Sequence, residues 1–196
     1  MLRASRLAHC VSWYKNLTRR EFIELAAAAA AASGMTACSG SPTPWRFLRL
    51  CEARVLAAIC GQLVPPDQDP GAEWAQVVNF IDIQLCGAFA DAQDLYRDGL
   101  GYTDATARSW FGKRFAELDG KQQVEILDAT ERGTVSKNIW ETVDSRQFFE
   151  TVLSHTMQGF YGDPRHGGNR ARVSWKMVGL AYPQVRGRLK YDPRAT

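Results

Sequence analysis

The densest group of residues able to do chemistry lies in the glycine-rich segment 159–169, called the glycine loop below. Asp163 and His166 stand three positions apart in it, and an aspartate beside a histidine can act as an acid–base pair. Arg165 lies between them and could hold the carboxylate of a substrate. No nucleophile and no second carboxylate accompany this group, which weakens the catalytic interpretation.

A structural role accounts for the same residue types. Asp163-Pro164 is a dipeptide that favours a turn, and Gly167-Gly168 permits a positive φ. Asn169 is suited to cap the element that follows. We favour a structural or partner-interface role over catalysis, and we assign that role to Tyr161, Gly162, Asp163, Pro164, Arg165, His166, Gly167, Gly168, Asn169 and Trp175.

Motifs that hold cofactors or metals are missing from the sequence. A flavin or nicotinamide site needs a glycine-rich turn between a strand and a helix, and no G-x-G-x-x-G occurs. There is no P-loop, no G-x-S-x-G, and no C-x-x-C that would indicate zinc, a redox thiol pair or attached haem. The sequence therefore predicts no catalytic, cofactor-binding or metal-binding residue in this chain.

Aromatic and histidine residues outside the glycine loop fit the interior of a domain. His155 lies on an apolar helical segment and is expected to be a hydrogen-bonded core histidine. The tryptophans are expected to anchor the core first and an interface second. The five tryptophans outside the leader stand at positions 45, 74, 110, 140 and 175.

Helices must position these residues, because apolar side chains recur at helical spacing and no segment alternates with period two. The spacing predicts a helix over about 46–63, stopped by the prolines that follow, and a second over about 74–87. A third is predicted from about Thr106 through Phe115, started by Thr103 or Asp104. The fold class is therefore all-α, an irregular helical domain with long ordered loops.

The later helices are predicted from their start signals. Asp119 with Gln122 forms a capping-box pattern, and Ser145 is expected to cap the helix that leads into the glycine loop. A short helical turn is expected around 175–178. Residues 46–183 form the helical domain on this interpretation, with a linker at 39–45 and a C-terminal tail at 184–196.

The cysteines outside the leader are Cys51, Cys60 and Cys86. Cys51 and Cys60 fall on opposite faces of one predicted helix, roughly 13 Å apart along its axis, so they cannot bond to each other. Either could pair with Cys86 across two helices in an oxidising compartment. We favour three buried thiols that pack as small hydrophobic residues.

The N-terminal segment 1–38 has the pattern of an export signal. Arg19-Arg20, with Phe22 two positions later, precedes a short alanine-rich stretch that is too short to span a bilayer. This pattern resembles the twin-arginine motif, with Glu24 where that motif usually has lysine. The resemblance implies passage through the twin-arginine (Tat) translocase to the periplasm.

Two cleavage sites remain open. Met35-Thr36-Ala37-Cys38 looks like a lipoprotein box, which would make Cys38 a lipidated first residue and anchor the protein to a membrane. The alternative is ordinary cleavage between positions 32 and 39.

The charge of the chain points away from nucleic acid. Residues 1–38 carry five basic and two acidic residues, which account for the whole formal net charge of +3. The remainder has 19 basic and 19 acidic residues, so it has no net charge to attract a polyanion.

The C-terminal half resembles the gluconate 2-dehydrogenase subunit 3 (gamma subunit) family. The resemblance rests on Phe148-Phe149 with Thr156, the sequence GFYGDPRHGGN of the glycine loop, and Trp175-Lys176 with Gly179. Segments near Val64-Pro65, Pro70-Gly71-Ala72 and Phe80-Ile81-Asp82 also match, so the similarity covers about 46–183.

The resemblance implies a non-catalytic subunit. Members of the family accompany a large FAD-dependent dehydrogenase, often with a cytochrome c subunit, so FAD is expected in one partner and haem c possible in another. The twin-arginine signal would then export the flavoprotein as a folded passenger. A self-contained enzyme using Asp163 and His166, and an independent structural lipoprotein, remain the alternatives.

Overall fold

A computed structural model describes residues 44–180 of the chain. This part is built from α-helices and short 3₁₀ turns and contains no strand, so the predicted all-α class is confirmed. None of its helices is long and apolar enough to cross a membrane. The α-helices are α1 (Leu50–Leu63), α2 (Val77–Leu85), α3 (Gln93–Phe111), α4 (Gly120–Arg132), α5 (Ser145–Tyr161) and α6 (Val173–Met177).

The predictions for the N-terminal leader and the C-terminal tail lie outside the described residues. They comprise the signal 1–38 with Arg19, Arg20, Phe22 and Cys38, most of the linker, and the tail 184–196.

Helix α3 is longer than the sequence predicts. It begins at Gln93 instead of near Thr106, and Thr103 and Asp104, expected to start it, lie inside it. The sequence pattern does not predict the first turns of α3, because Gly99 weakens the helical signal there. The fold needs that glycine, since a Cβ there would lie under 3.0 Å from the Phe148 ring. Asp104 Oδ1 instead accepts a hydrogen bond from Phe115 N at 2.9 Å, which holds the turn after the helix.

The starts of α4 and α5 test the capping predictions. Asp119 Oδ1 accepts from Gln122 N at 2.9 Å, so the predicted capping box is confirmed. Ser145 is not the cap of α5. Asp144 takes that place by accepting from the backbone N–H of Arg146 at 2.8 Å, while Ser145 is buried and donates to a carbonyl of α4.

The core is one apolar cluster at the centre of the helices, and α5 packs against both α2 and α4. Among the predicted tryptophan anchors, Trp140 and Trp175 are buried and Trp45 is half-buried. Trp74 and Trp110 are 43% and 39% exposed, so for them the core prediction is wrong. Trp74 precedes α2 in an irregular turn, and Trp110 lies at the end of α3, where the core no longer covers it.

The cysteines differ from the prediction of three buried thiols. Cys60 is buried, its Sγ lies 3.3 Å from Thr156 Oγ1, and burial raises the pKa of its thiol to about 12. Cys86 is exposed and forms no disulfide with Cys60, and Cys51 is half-buried. Helix α2 ends one residue before Cys86, which places that side chain on the turn outside the core.

Candidate functional site

The glycine loop begins inside α5 and leaves it after Tyr161. Asp163 starts a 3₁₀ turn, Pro164–His166, in which Pro164 takes the first position, so the predicted Asp-Pro turn is present. Asp163 Oδ1 accepts from Arg165 N at 3.0 Å, and its Oδ2 pairs with the Arg165 guanidinium at 2.8 Å. These hydrogen bonds from Arg165 lower the pKa of the Asp163 carboxyl.

This geometry bears on the acid–base interpretation. Both carboxylate oxygens of Asp163 contact Arg165, and the His166 side chain is exposed. A carboxylate with a lowered pKa is a weak base near neutral pH. The turn therefore uses Asp163 as a helix cap and as an ion-pair partner, which is the structural role.

Asn169 is the residue that closes the loop. It is fully buried with φ +44°, a left-handed conformation that asparagine tolerates better than most residues. Its Nδ2 donates to Gly162 O at 2.8 Å, and its Oδ1 accepts from Ser174 N at 3.1 Å at the start of α6. One side chain thus joins the first turn of the loop to the helix that follows it. Asn169 holds the N-cap position of the 3₁₀ turn Arg170–Arg172, but its side chain makes no capping hydrogen bond to that turn.

The last helix is tied back to the end of α5. Trp175 Nε1 donates to Tyr161 O at 2.7 Å, which uses a carbonyl left without a partner at the end of α5. Trp175 is buried although it lies in a helix of five residues. The loop therefore packs against the helix around Trp175.

Helix α2 packs against the glycine loop. Asn79 Nδ2 donates to Gly167 O at 2.8 Å, and the Phe80 side chain packs beneath the backbone of Gly159 and Gly168. A Cβ on Gly159 would lie 2.8 Å from Phe80 Cδ1. The backbones of Gly159 and Gly168 approach each other closely over the Phe80 ring, and glycine is the residue that leaves room for this approach.

The two central glycines are required for different reasons. Gly167 has φ +96°, as predicted. Gly168 is not among the described residues with positive φ, so that part of the prediction is wrong. Its constraint is steric, because a Cβ would lie under 3.0 Å from the Gly159 carbonyl.

Sequence reasoning missed the role of Asp82, which lies on α2 and is buried. Its carboxylate accepts from three consecutive backbone N–H groups, those of Arg46 at 2.7 Å, Phe47 at 3.0 Å and Leu48 at 2.9 Å. These bonds tie the segment before α1 to α2. That segment bends at Arg46 and Phe47, and α1 begins at Leu50 and not at Arg46. The available signal was a charged residue at a buried position of an otherwise apolar helix.

His155 occupies the position expected of a core histidine. It is half-buried, its Nδ1 lies 3.0 Å from Tyr96 Oη, and its ring stacks on Phe89 with centroids 3.7 Å apart. Burial lowers the pKa of His155, although Asp91 partly offsets this by favouring the charged form. Its contacts are all internal to the fold.

One cleft of the described part lies away from the glycine loop. The connection between α4 and α5 lines a cleft of about 570 Å³ that includes Trp140, Lys137 and Arg146 but no residue of the glycine loop. Within residues 44–180, no group of three or more His, Cys, Asp or Glu side chains is arranged to hold a metal ion.

A comparison with known protein families finds a match over the part of the chain that contains the glycine loop. The family model described as gluconate 2-dehydrogenase subunit 3 matches residues 51–181, about two thirds of the chain. The chain belongs to the gluconate 2-dehydrogenase subunit 3 family. Searches of curated proteins and of solved structures found no match. The matched range includes α1 to α6 and the whole glycine loop, apart from the first residue of α1.

Proposed function

We propose that this member of the gluconate 2-dehydrogenase subunit 3 family is a non-catalytic small subunit of a periplasmic dehydrogenase that oxidises a sugar or sugar acid. The proposal rests on one observation: the polar side chains of the glycine loop bond to the loop itself and to α6. Asn169 bonds to Gly162 and Ser174, and Asp163 pairs with Arg165. A loop whose polar side chains hold its own fold is suited to present a surface, not to move protons of a substrate.

The partners follow from the family. A large flavoprotein subunit would hold FAD and oxidise the substrate, and a cytochrome c subunit with haem c would accept electrons. This chain would help the flavoprotein to mature and assemble. Its buried core and internally bonded loop support a scaffold role, because a preformed surface binds at a lower entropic cost than a disordered one.

Export is the second part of the proposal. The Arg19-Arg20 pair of the leader would direct the chain, with the flavoprotein as a folded passenger, through the twin-arginine translocase. Lipidation of Cys38 would then keep the complex at a membrane surface, whereas ordinary cleavage would leave it held only by its partners.

Turnover of assembled complexes tests the non-catalytic role. His166→Ala and Asp163→Asn complexes are purified, and turnover is measured per bound flavin, so that a lower yield does not count as lower activity. We expect turnover within a few-fold of the wild type. A loss of about 10²-fold in a fully assembled complex would instead assign acid–base catalysis to these two residues.

Localisation tests the export role. Replacing Arg19 and Arg20 with lysine should leave this chain and the flavoprotein in the cytoplasm. Replacing Arg3 and Arg6 with lysine is the matched control, since it makes the same change in the same leader away from the motif. Periplasmic flavoprotein in the Arg19/Arg20 variant contradicts the passenger proposal.

A further inference from the structure

The neutral total charge of residues 39–196 hides a strong division along the sequence. Residues 44–160 carry 17 acidic and 11 basic side chains, whereas residues 161–180, the described part after α5, carry one acidic and four basic ones. The part of the domain after α5 is therefore cationic on an otherwise acidic protein. Such a division creates a local positive potential that a neutral total conceals.

Arg170 is the best-defined cation of this region. Its backbone N–H donates to Ala75 O at 3.2 Å, which attaches the chain after the glycine loop to the turn before α2. Its guanidinium lies 5.3 Å from the centroid of the Trp74 ring. Both side chains are exposed, so a cation and a large aromatic ring face solvent together.

Lys176 extends the positive charge onto α6. Among residues 44–180, neither Lys176 nor Arg170 forms an ion pair. The acidic residues of this region are few. Asp163 is paired with Arg165, and Glu73 is exposed beside Trp74 in the sequence.

Exposed apolar side chains are concentrated at the same end of the domain. Five of the eight large apolar side chains exposed in the described part belong here, whereas Leu50, Trp110 and Val124 are distributed over α1, α3 and α4. A backbone bond ties Leu180 back to α6, since Leu180 N donates to Trp175 O at 2.7 Å. The five, with their exposures, are Trp74 (43%), Tyr161 (48%), Met177 (39%), Val178 (65%) and Leu180 (55%).

We propose that this C-terminal surface docks an acidic patch on the flavoprotein subunit. The surface is defined by Trp74, Tyr161, Arg170, Lys176, Met177, Val178 and Leu180. This inference rests on the proposed function and adds the place and the chemistry of the contact. Tryptophan, tyrosine and arginine are the residues that most often dominate binding energy at protein interfaces, and this surface contains one of each.

The charge distribution favours a protein partner over an extended polyanion. A nucleic acid long enough to extend along the molecule would meet the acidic residues of 44–160, which repel it. A compact acidic patch touches only the cationic end. The glycine loop acts on this surface indirectly, because Asn169 and Gly168 are buried and hold α6 and Arg170 in place.

Charge reversal in the complete complex tests the proposal. The double variant Arg170→Glu/Lys176→Glu is compared with Lys121→Glu/Lys137→Glu, which reverses two exposed lysines on other parts of the domain. Each full-length chain is co-expressed with the flavoprotein and captured, and the bound partner is measured by its flavin absorbance. Affinity is then measured at low and high salt.

We expect the Arg170/Lys176 variant to bind about tenfold or more weakly at low salt, with a smaller dependence on salt, and the control to bind like the wild type. Val178→Glu should weaken binding as well, because it places a charge in the apolar part of the contact. All three side chains are exposed, so the thermal midpoint of each variant should stay at the wild-type value.

The possible failures are distinguishable. If the wild type captures no flavoprotein, the proposed function and this surface both fail. If the wild type and the Arg170/Lys176 variant capture it equally, the surface is wrong and the proposed function stands. Binding of the wild type to phosphatidylglycerol vesicles, or self-association, that is lost in the variant while flavoprotein binding persists also overturns the surface as a flavoprotein site.

Discussion

Replacing Gly168 with alanine adds a single methyl group at the tightest point of the glycine loop. The new Cβ would lie under 3.0 Å from the carbonyl oxygen of Gly159 and 3.1 Å from Phe80 Cβ. The oxygen belongs to the backbone of α5, so it cannot rotate away as a flexible side chain could. The substitution must therefore move the loop, α5 or both.

The expected cost follows from this geometry. Inserting a methyl group into a closely packed region costs typically 1–3 kcal/mol, and the rigid neighbour places Gly168→Ala near the upper end, about 3 kcal/mol. For a domain of this size, that loss lowers the thermal midpoint by about 10 °C. Unfolding of the full-length chain is followed by circular dichroism during heating and in urea.

Gly101→Ala supplies a control with the opposite sign. Gly101 lies inside α3, and apart from the backbone of its own helix and its chain neighbours no heavy atom would come within 4 Å of its new Cβ. Alanine is the better helix former, so this variant should gain about 0.5–1 kcal/mol. The reasoning is refuted if Gly168→Ala is as stable as the wild type, or if both variants change stability by the same amount.

Three further predictions concern other parts of the chain. Asp82→Asn should lower the free energy of unfolding by about 2–4 kcal/mol, because it disturbs three backbone hydrogen bonds to a buried carboxylate, whereas Glu150→Gln, exposed on α5, should stay within about 0.5 kcal/mol. The half-buried His155 has a pKa below its usual 6.5, so the unfolded state binds more protons and stability should fall as the pH drops below 6.5. Urea titrations at pH 7.5 and 5.5 should show this fall, and a fall of the same size in His155→Gln would contradict it. The purified chain without partners should show no absorbance band above the aromatic region, and a stoichiometric flavin or haem band in it would contradict the non-catalytic assignment.

Tertiary contacts account for the places where sequence reasoning stopped short. The Asn79 side chain is hydrogen-bonded to Gly167, which lies 88 positions later in the chain. The Asp82 carboxylate is hydrogen-bonded to Arg46, which lies 36 positions earlier. No local pattern encodes such pairs. A periodicity marks Asp82 only as an anomaly in an apolar helix, because its three donors lie in another part of the chain.

The sequence by itself determined the helical class, the capping box at Asp119, the turn at Asp163-Pro164 and the family, since each depends on residues close together in the chain. Only the tertiary structure decided why Gly168 is a glycine, why Gly99 lies in the middle of a helix, and which tryptophans face solvent. The physical reason is that steric fit and burial depend on what the rest of the chain places opposite a residue. Gly168 looks like a residue kept for positive φ, but it is kept because a backbone carbonyl of α5 occupies the space where its side chain would stand.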